Sequence, residues 1–174
     1  MGEPQTVQVE TSIGGDADAD TDQYLTFILN SEEYGVDILR VQEIKGWDNV
    51  TPIPNTPDYI KGVINLRGTI VPIIDLRKRF ELESIEYGPM TVVIVLKVMN
   101  DDKERIMGIV VDAVSEVYNV SPEEMKPAPD FGSVVNVEYV HGLATVDEKM
   151  VIILNIDRLL TSDELKIADD ATER

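Results

Sequence analysis

Few residues in this 174-residue sequence could do chemistry, and their types argue against catalysis. There is no cysteine, which removes disulfide frameworks, thiolate metal sites and cysteine nucleophiles together. His141 is the single histidine. A serine-histidine triad would have to use it, and a histidine-based metal site cannot be assembled. No glycine-rich phosphate loop is present. Asp37, Asp75 and Asp112 each end an apolar run, where a side chain capping the following turn is the expected role. Pro54-Asn-Thr-Pro57, preceded by Pro52, is expected to stiffen a crossing between elements rather than to serve as a recognition ligand. Neither enzymatic activity nor a cofactor is expected.

The feature that does ask for a function is positive charge in an acidic chain. Lys61, Arg67, Arg77, Lys78 and Arg79 fall close together, interrupted only by Asp75, although the sequence has 33 acids against 15 bases and a formal net charge of -18. A solvated face would explain them, but Arg67 precedes Gly68 where a hairpin tip is expected. A guanidinium held by a tight turn can meet a partner's carboxylate with both forks, so a binding role is favoured. The partner should not be a polyanion. A charge of -18 repels nucleic acid phosphates and anionic lipid surfaces, which are bound through clustered Lys and Arg.

The elements that must hold these residues read mainly as strands. Tyr24–Leu29, Tyr34–Asp37, Gly62–Leu66, Thr69–Ile74, Thr91–Val98, Arg105–Val111, Gly142–Val146 and Met150–Leu154 are short, rich in Val and Ile, and bounded by turn chemistry. Asn30 to Glu33, Arg67-Gly68, Asn100 to Lys103 and Asp147 to Lys149 supply hairpin connections. Short helices are predicted at Ile38–Ile44, Leu76–Phe80, Ser121–Met125 and Ile156–Leu160. The first would be amphipathic, burying Ile38, Val41 and Ile44 and leaving Glu43 in water. No apolar run approaches the roughly 20 residues of a membrane helix, and no secretory signal opens the chain, so a cytoplasmic protein is expected.

The ends differ in composition. Residues 1–21 carry Glu3, Glu10, Asp16, Asp18 and Asp20 without a Lys or Arg and without an aromatic residue, and are expected to be a disordered arm. Residues 166–174 are expected to fray. Deleting residues 1–18 should leave partner binding within a factor of about three, as read by titration calorimetry, whereas a tenfold loss would make the arm part of an interface.

An internal repeat organises what lies between. Tyr59 to Phe80 aligns without a gap on Tyr139 to Leu160, each opening Tyr-x-x-Gly, and Gly35 to Ile44 aligns on Gly108 to Val117. Pro52-Ile-Pro54 likewise matches Pro127-Ala-Pro129. Asp75 falls on Asn155 and Lys61 on His141, so neither a carboxylate pair nor a second lysine is repeated. A duplicated β unit of this size predicts two small barrels packed together.

The quoted segments carry a resemblance. Glu33-Tyr-Gly-Val-Asp-Ile-Leu-Arg-Val-Gln-Glu-Ile-Lys-Gly46, Asn55-Thr-Pro-Asp-Tyr-Ile-Lys-Gly-Val-Ile-Asn-Leu-Arg-Gly68, Gly108 to Val117 and Lys126-Pro-Ala-Pro-Asp-Phe131 resemble the CheW family of bacterial chemotaxis coupling proteins over about residues 22–165. The resemblance implies a mainly β fold of two SH3-like five-stranded barrels around a shared core, with short helices. It implies a non-enzymatic adaptor that binds the cytoplasmic tips of chemoreceptors and the regulatory domain of the histidine kinase CheA. Receptor-binding positions of the family fall on Val41, Glu43, Lys61, Arg67, Ile70, Gly108, Val114 and Val117, and a kinase or array contact falls on Phe131. Neither a metal nor nucleic acid nor membrane insertion is implied; recruitment to membrane-associated receptor arrays is.

Overall fold

The computed structural model describes residues 22–48, 50–100, 103–127 and 137–160; the arm, the tail and Phe131 lie outside them. The strands are β1 (Asp22–Leu29), β2 (Glu32–Asp37), β3 (Val41–Gly46), β4 (Ile60–Leu66), β5 (Thr69–Asp75), β6 (Val92–Asn100), β7 (Lys103–Val111), β8 (Ala113–Val120), β9 (Met125–Lys126), β10 (Val140–Val146) and β11 (Lys149–Leu154). Two one-turn helices, α1 (Leu76–Arg79) and α2 (Ile156–Leu159), follow β5 and β11.

Tight turns set the hairpins. Asn30 and Ser31, Arg67 and Gly68, and Asp147 and Glu148 all have positive φ, the twist that matches two-residue loops to right-handed strands. The helices begin where the repeat places a short polar side chain: Asp75 accepts from the Lys78 N–H and Asn155 from the Arg158 N–H. Ser121 and Glu124 form a reciprocal capping box around Pro122–Glu124, a 3-10 turn rather than an α-helix.

The strands form two curled sheets of order β8-β1-β2-β11-β10-β9 and β3-β6-β7-β5-β4. They are interlocked copies. Parallel pairing joins β2 to β11 through Tyr34–Ile152 and Gly35–Ile153, and β5 to β7 through Ile73–Gly108 and Ile74–Ile109. Each first hairpin therefore sits beside the second hairpin of the other copy. The edge strands cross as well, β3 pairing with β6 and β8 with β1. We call the sheet containing β1 barrel A and that containing β6 barrel B. In barrel B, Thr51 and Val63 exchange both backbone hydrogen bonds at 2.9 Å, and β9 covers β10 at the matching place in barrel A.

Two sequence expectations are corrected. Ile38–Ile44 is not a helix: it is a 3-10 turn, Ile38–Arg40, running into β3, because the exposed edge of β6 offers Val41 to Gly46 a backbone partner. The helical spacing of Ile38, Val41 and Ile44 misled; Ile44 is 42% exposed. Strand β8 was not expected at all, since Ser115 and Glu116 interrupt its apolar run. A bulge between Val114 and Val117 absorbs them.

The central core draws on both barrels, with Phe27, Leu29 and Val36 meeting Ile94, Leu96, Met107 and Ile109, sealed by Phe80, Leu159 and Leu160 from the helix ends. Each barrel keeps a smaller interior of its own, around Tyr24, Val151 and Ile153 in A and around Ile73, Val93 and Val110 in B.

Candidate functional site

Barrel B gathers most of the anticipated site. The Asn65 side chain accepts from the Gly68 N–H at 2.8 Å, bracing the turn that holds Arg67 at positive φ, a conformation that costs a non-glycine residue about 1 kcal/mol. The guanidinium leaves this tip 75% exposed and donates from Nη2 to Glu43 Oε1 at 2.6 Å. Strand β3 and the β4–β5 tip belong to opposite edges of the sheet, so the pair spans the place where the sheet curls back on itself. A bulge between Val41 and Glu43 aims the carboxylate. Arg67 was expected to be open to a partner, but within the free chain it already has a carboxylate.

Lys61, half-buried on β4, carries its ammonium 5.6 Å from the centroid of the Tyr87 ring. The Tyr87 hydroxyl donates to Asp75, and Trp47 meets the ring in a T-shaped contact at 4.4 Å. Burial pushes the Tyr87 hydroxyl pKa well up, and the bond to the Asp75 carboxylate adds to the shift. Ile70, on β5 beyond the tip, is 43% exposed.

The remaining positions separate. Val41 and Val114 are repeat equivalents, and each packs half-buried against the central core, opposite Leu96 and Phe27 respectively. Val117 is exposed, but on β8 of barrel A. Gly108 is buried; a Cβ there would lie 2.7 Å from Ile73 Cδ1 and 2.8 Å from Val93 Cγ1. It therefore presents no surface to a partner, and its part is to let β7 pack against β5 and β6. Phe131 lies outside the described residues.

The basic cluster is not one face. Arg77 is buried and clasps Asp112 through Nε at 2.8 Å and Nη2 at 2.9 Å. The Arg79 guanidinium lies over the repeat-equivalent rings of Tyr59 and Tyr139, 5.5 and 5.1 Å from their centroids, and donates to the Tyr139 hydroxyl. Of the other three, Lys61 lies over the Tyr87 ring, Arg67 meets Glu43, and Lys78 is half-buried on α1. Asp112, expected to cap a turn, instead takes Arg77 and the Asn30 N–H. Asp37 and Asp75 do cap as expected.

His141 is exposed at the start of β10 and lines a cavity of about 210 Å³ with Tyr24, Arg40, Ile153, Asn155 and Asp157. Among the described residues no group of His, Asp and Glu is arranged to hold a metal ion, and no helix is long and apolar enough to cross a membrane. Sequence reasoning missed Tyr87, Trp47 and the Arg40–Asp157 pair. Only the repeat held a signal, by marking Lys61 and Asp75 as places where the copies differ.

The family model for the CheW-like domain matches residues 23–164. The chain belongs to the CheW-like family. It is 49% identical over 151 residues to a chemotaxis protein CheW of Klebsiella aerogenes, covering 87% of this chain and 89% of that protein. A chemotaxis protein CheW of Treponema pallidum is 38% identical over 148 residues, covering 83% and 85%. Among solved structures, the scaffolding protein TtCheW from Thermoanaerobacter tengcongensis superimposes with a TM-score of 0.73 at 33% identity, covering 83% of this chain and 90% of that one. The two-barrel, mostly β architecture is thus shared with a member of the CheW-like family.

Proposed function

We propose that this chain is a chemotaxis adaptor that couples chemoreceptors to the histidine kinase CheA by binding the receptor's cytoplasmic tip and the kinase's regulatory domain. The observation that carries the reading is the Arg67–Glu43 pair at the β4–β5 tip of barrel B, beside exposed Ile70. Apolar contact with charged flanks suits an amphipathic helix, the form a receptor tip would present. The work is linkage: an adaptor that binds one receptor conformation more tightly must shift the receptor toward it, and a kinase held in the same assembly feels the shift. No bond is made or broken. An SH3-like or OB-like nucleic acid module is the other reading, and the net charge of -18 weighs against it.

Calorimetric titration of the full chain with a receptor tip fragment, and separately with the kinase regulatory domain, tests the proposal. Binding of both supports it. Binding of neither, with a salt-dependent shift on single-stranded RNA or DNA, would overturn it.

Phe131 belongs to the proposed array contact of the second repeat. Phe131→Ser should leave the thermal melt and both binary complexes unchanged while reducing co-sedimentation of the ternary receptor–adaptor–kinase assembly. Loss of several kcal/mol of stability would instead make it a core residue.

A further inference from the structure

The two barrels are copies, yet among the described residues one interior opening is filled and its counterpart is open. Repeat alignment, carried through the strand registers, makes His141 the counterpart of Lys61, Asn155 that of Asp75, Ile153 that of Ile73, Tyr24 that of Val93 and Asp37 that of Val110. All five barrel A residues line the cavity of about 210 Å³. In barrel B the corresponding residues surround Tyr87, which packs against the cluster containing Ile73, Val93 and Val110, donates to Asp75 and lies beneath Lys61.

We propose that Tyr87 is a positioning residue for partner binding: its ring holds the Lys61 ammonium in place, at the position where barrel A carries His141. The inference rests on the assignment of Lys61 to the receptor site. Two contacts besides the lysine fix the ring, which makes it a platform. The hydroxyl is tied to Asp75, itself held by the α1 N-terminus, and the Trp47 ring meets it in a T-shaped contact. A cation over such a face is attracted by the ring quadrupole, and a flexible lysine so held has less freedom to lose when a partner's carboxylate arrives. Trp47 and Tyr87 both pack on the barrel B interior, so removing Trp47 is a matched perturbation that leaves the ring under Lys61.

The test uses the full chain. Proton NMR should show the Lys61 Hε signals moved upfield by the ring current, and restored to ordinary positions in Tyr87→Leu but not in Tyr87→Phe. Toward a receptor tip fragment, Tyr87→Leu should weaken binding about fivefold. Tyr87→Phe and Trp47→Leu each remove one contact that fixes the ring but leave a ring beneath Lys61, so each should weaken binding less than Tyr87→Leu does. In a Lys61→Ala background, Tyr87→Leu should have no further effect. Unshifted Lys61 signals in the parent chain, or an equal loss from Tyr87→Leu with and without Lys61, would overturn the proposal. A Lys61→Ala variant that binds receptor normally would sink the site assignment and the binding role of Tyr87 with it; the NMR shift would then report the ring contact alone, so the two failures are told apart.

Discussion

Arg67→Ala should weaken receptor-tip binding by roughly 2 kcal/mol or more, about thirtyfold, and leave the melting temperature within a few degrees. The side chain is 75% exposed at a two-residue turn, where truncation removes little packing. Among the described residues its folded-state partner is Glu43, and an exposed pair of this kind contributes about 0–1 kcal/mol. Binding is different. A receptor carboxylate drawn against the tip would lose water on docking and, without Arg67, find no compensating donor. Glu43→Ala should also weaken receptor binding, but less, because it frees the guanidinium from the edge of β3 without removing it. The two losses should not add, since each variant breaks the same pair. Calorimetry against the receptor fragment and the kinase regulatory domain, at two salt concentrations, reads all of this. Equal loss toward both partners would indicate damage to the fold, and no loss toward either would return Arg67 to ordinary surface.

The hairpins were legible in the sequence because their causes are local. Arg67-Gly68 and Asp147-Glu148 are short polar breaks between Val- and Ile-rich runs, and Asp75 and Asn155 cap helices within three residues of themselves. The repeat was legible too, but not its interlocking. Which second hairpin lies beside β2 is decided by backbone pairing between residues more than a hundred positions apart, such as Tyr34 and Ile152. Nothing in either run names its partner. Strand β3 shows the same limit: Ile38, Val41 and Ile44 have helical spacing, and only the vacant edge of β6 makes the segment extended. Within the site, Lys61 and Arg67 could be singled out by type. That Arg77 and Arg79, two positions apart on a one-turn helix, go to Asp112 and to two tyrosines could not, because those partners arrive from turns elsewhere in the chain.

The largest stability loss should come from exchanging two charges without altering composition. Each helix docks on the turn that follows a first hairpin through a bidentate pair: Arg77 of α1 with Asp112 beyond β7, and Asp157 of α2 with Arg40 beyond β2, the latter at 2.8 and 2.7 Å. The polarity is opposite in the two barrels. Arg40 and Asp112 stand one repeat position apart, so if each first hairpin had stayed with the second hairpin of its own copy, Arg40 would lie near Arg77 and Asp112 near Asp157. Unlike charges therefore favour the interlocked arrangement and like charges oppose the uncrossed one. Removing one member, as in Asp112→Ala, should cost roughly 3 kcal/mol, because Arg77 is left buried without its carboxylate. The double variant Arg77→Asp with Asp157→Arg sets like charges together at both places. It should lose roughly 5 kcal/mol or more, enough to unfold many domains of this size. Adding Arg40→Asp and Asp112→Arg should restore much of the loss, which simple damage to packing would not allow. Urea denaturation followed by circular dichroism measures each step. Acid provides an independent check. Burial would raise the pKa of Asp112, but hydrogen bonds from Arg77 and the Asn30 N–H outweigh it, so the group sits below its ordinary value; Asp157 is lowered likewise against its own burial by Arg40 and the Met99 N–H. Carboxylates depressed in the folded state give stability that is complete above their unfolded pKa, about 3.9, and lost as pH falls through the lower folded value. The parent chain should therefore lose stability below about pH 4 more steeply than Asp112→Ala does. Parallel acid profiles for the two would mean that the Arg77–Asp112 pair contributes nothing.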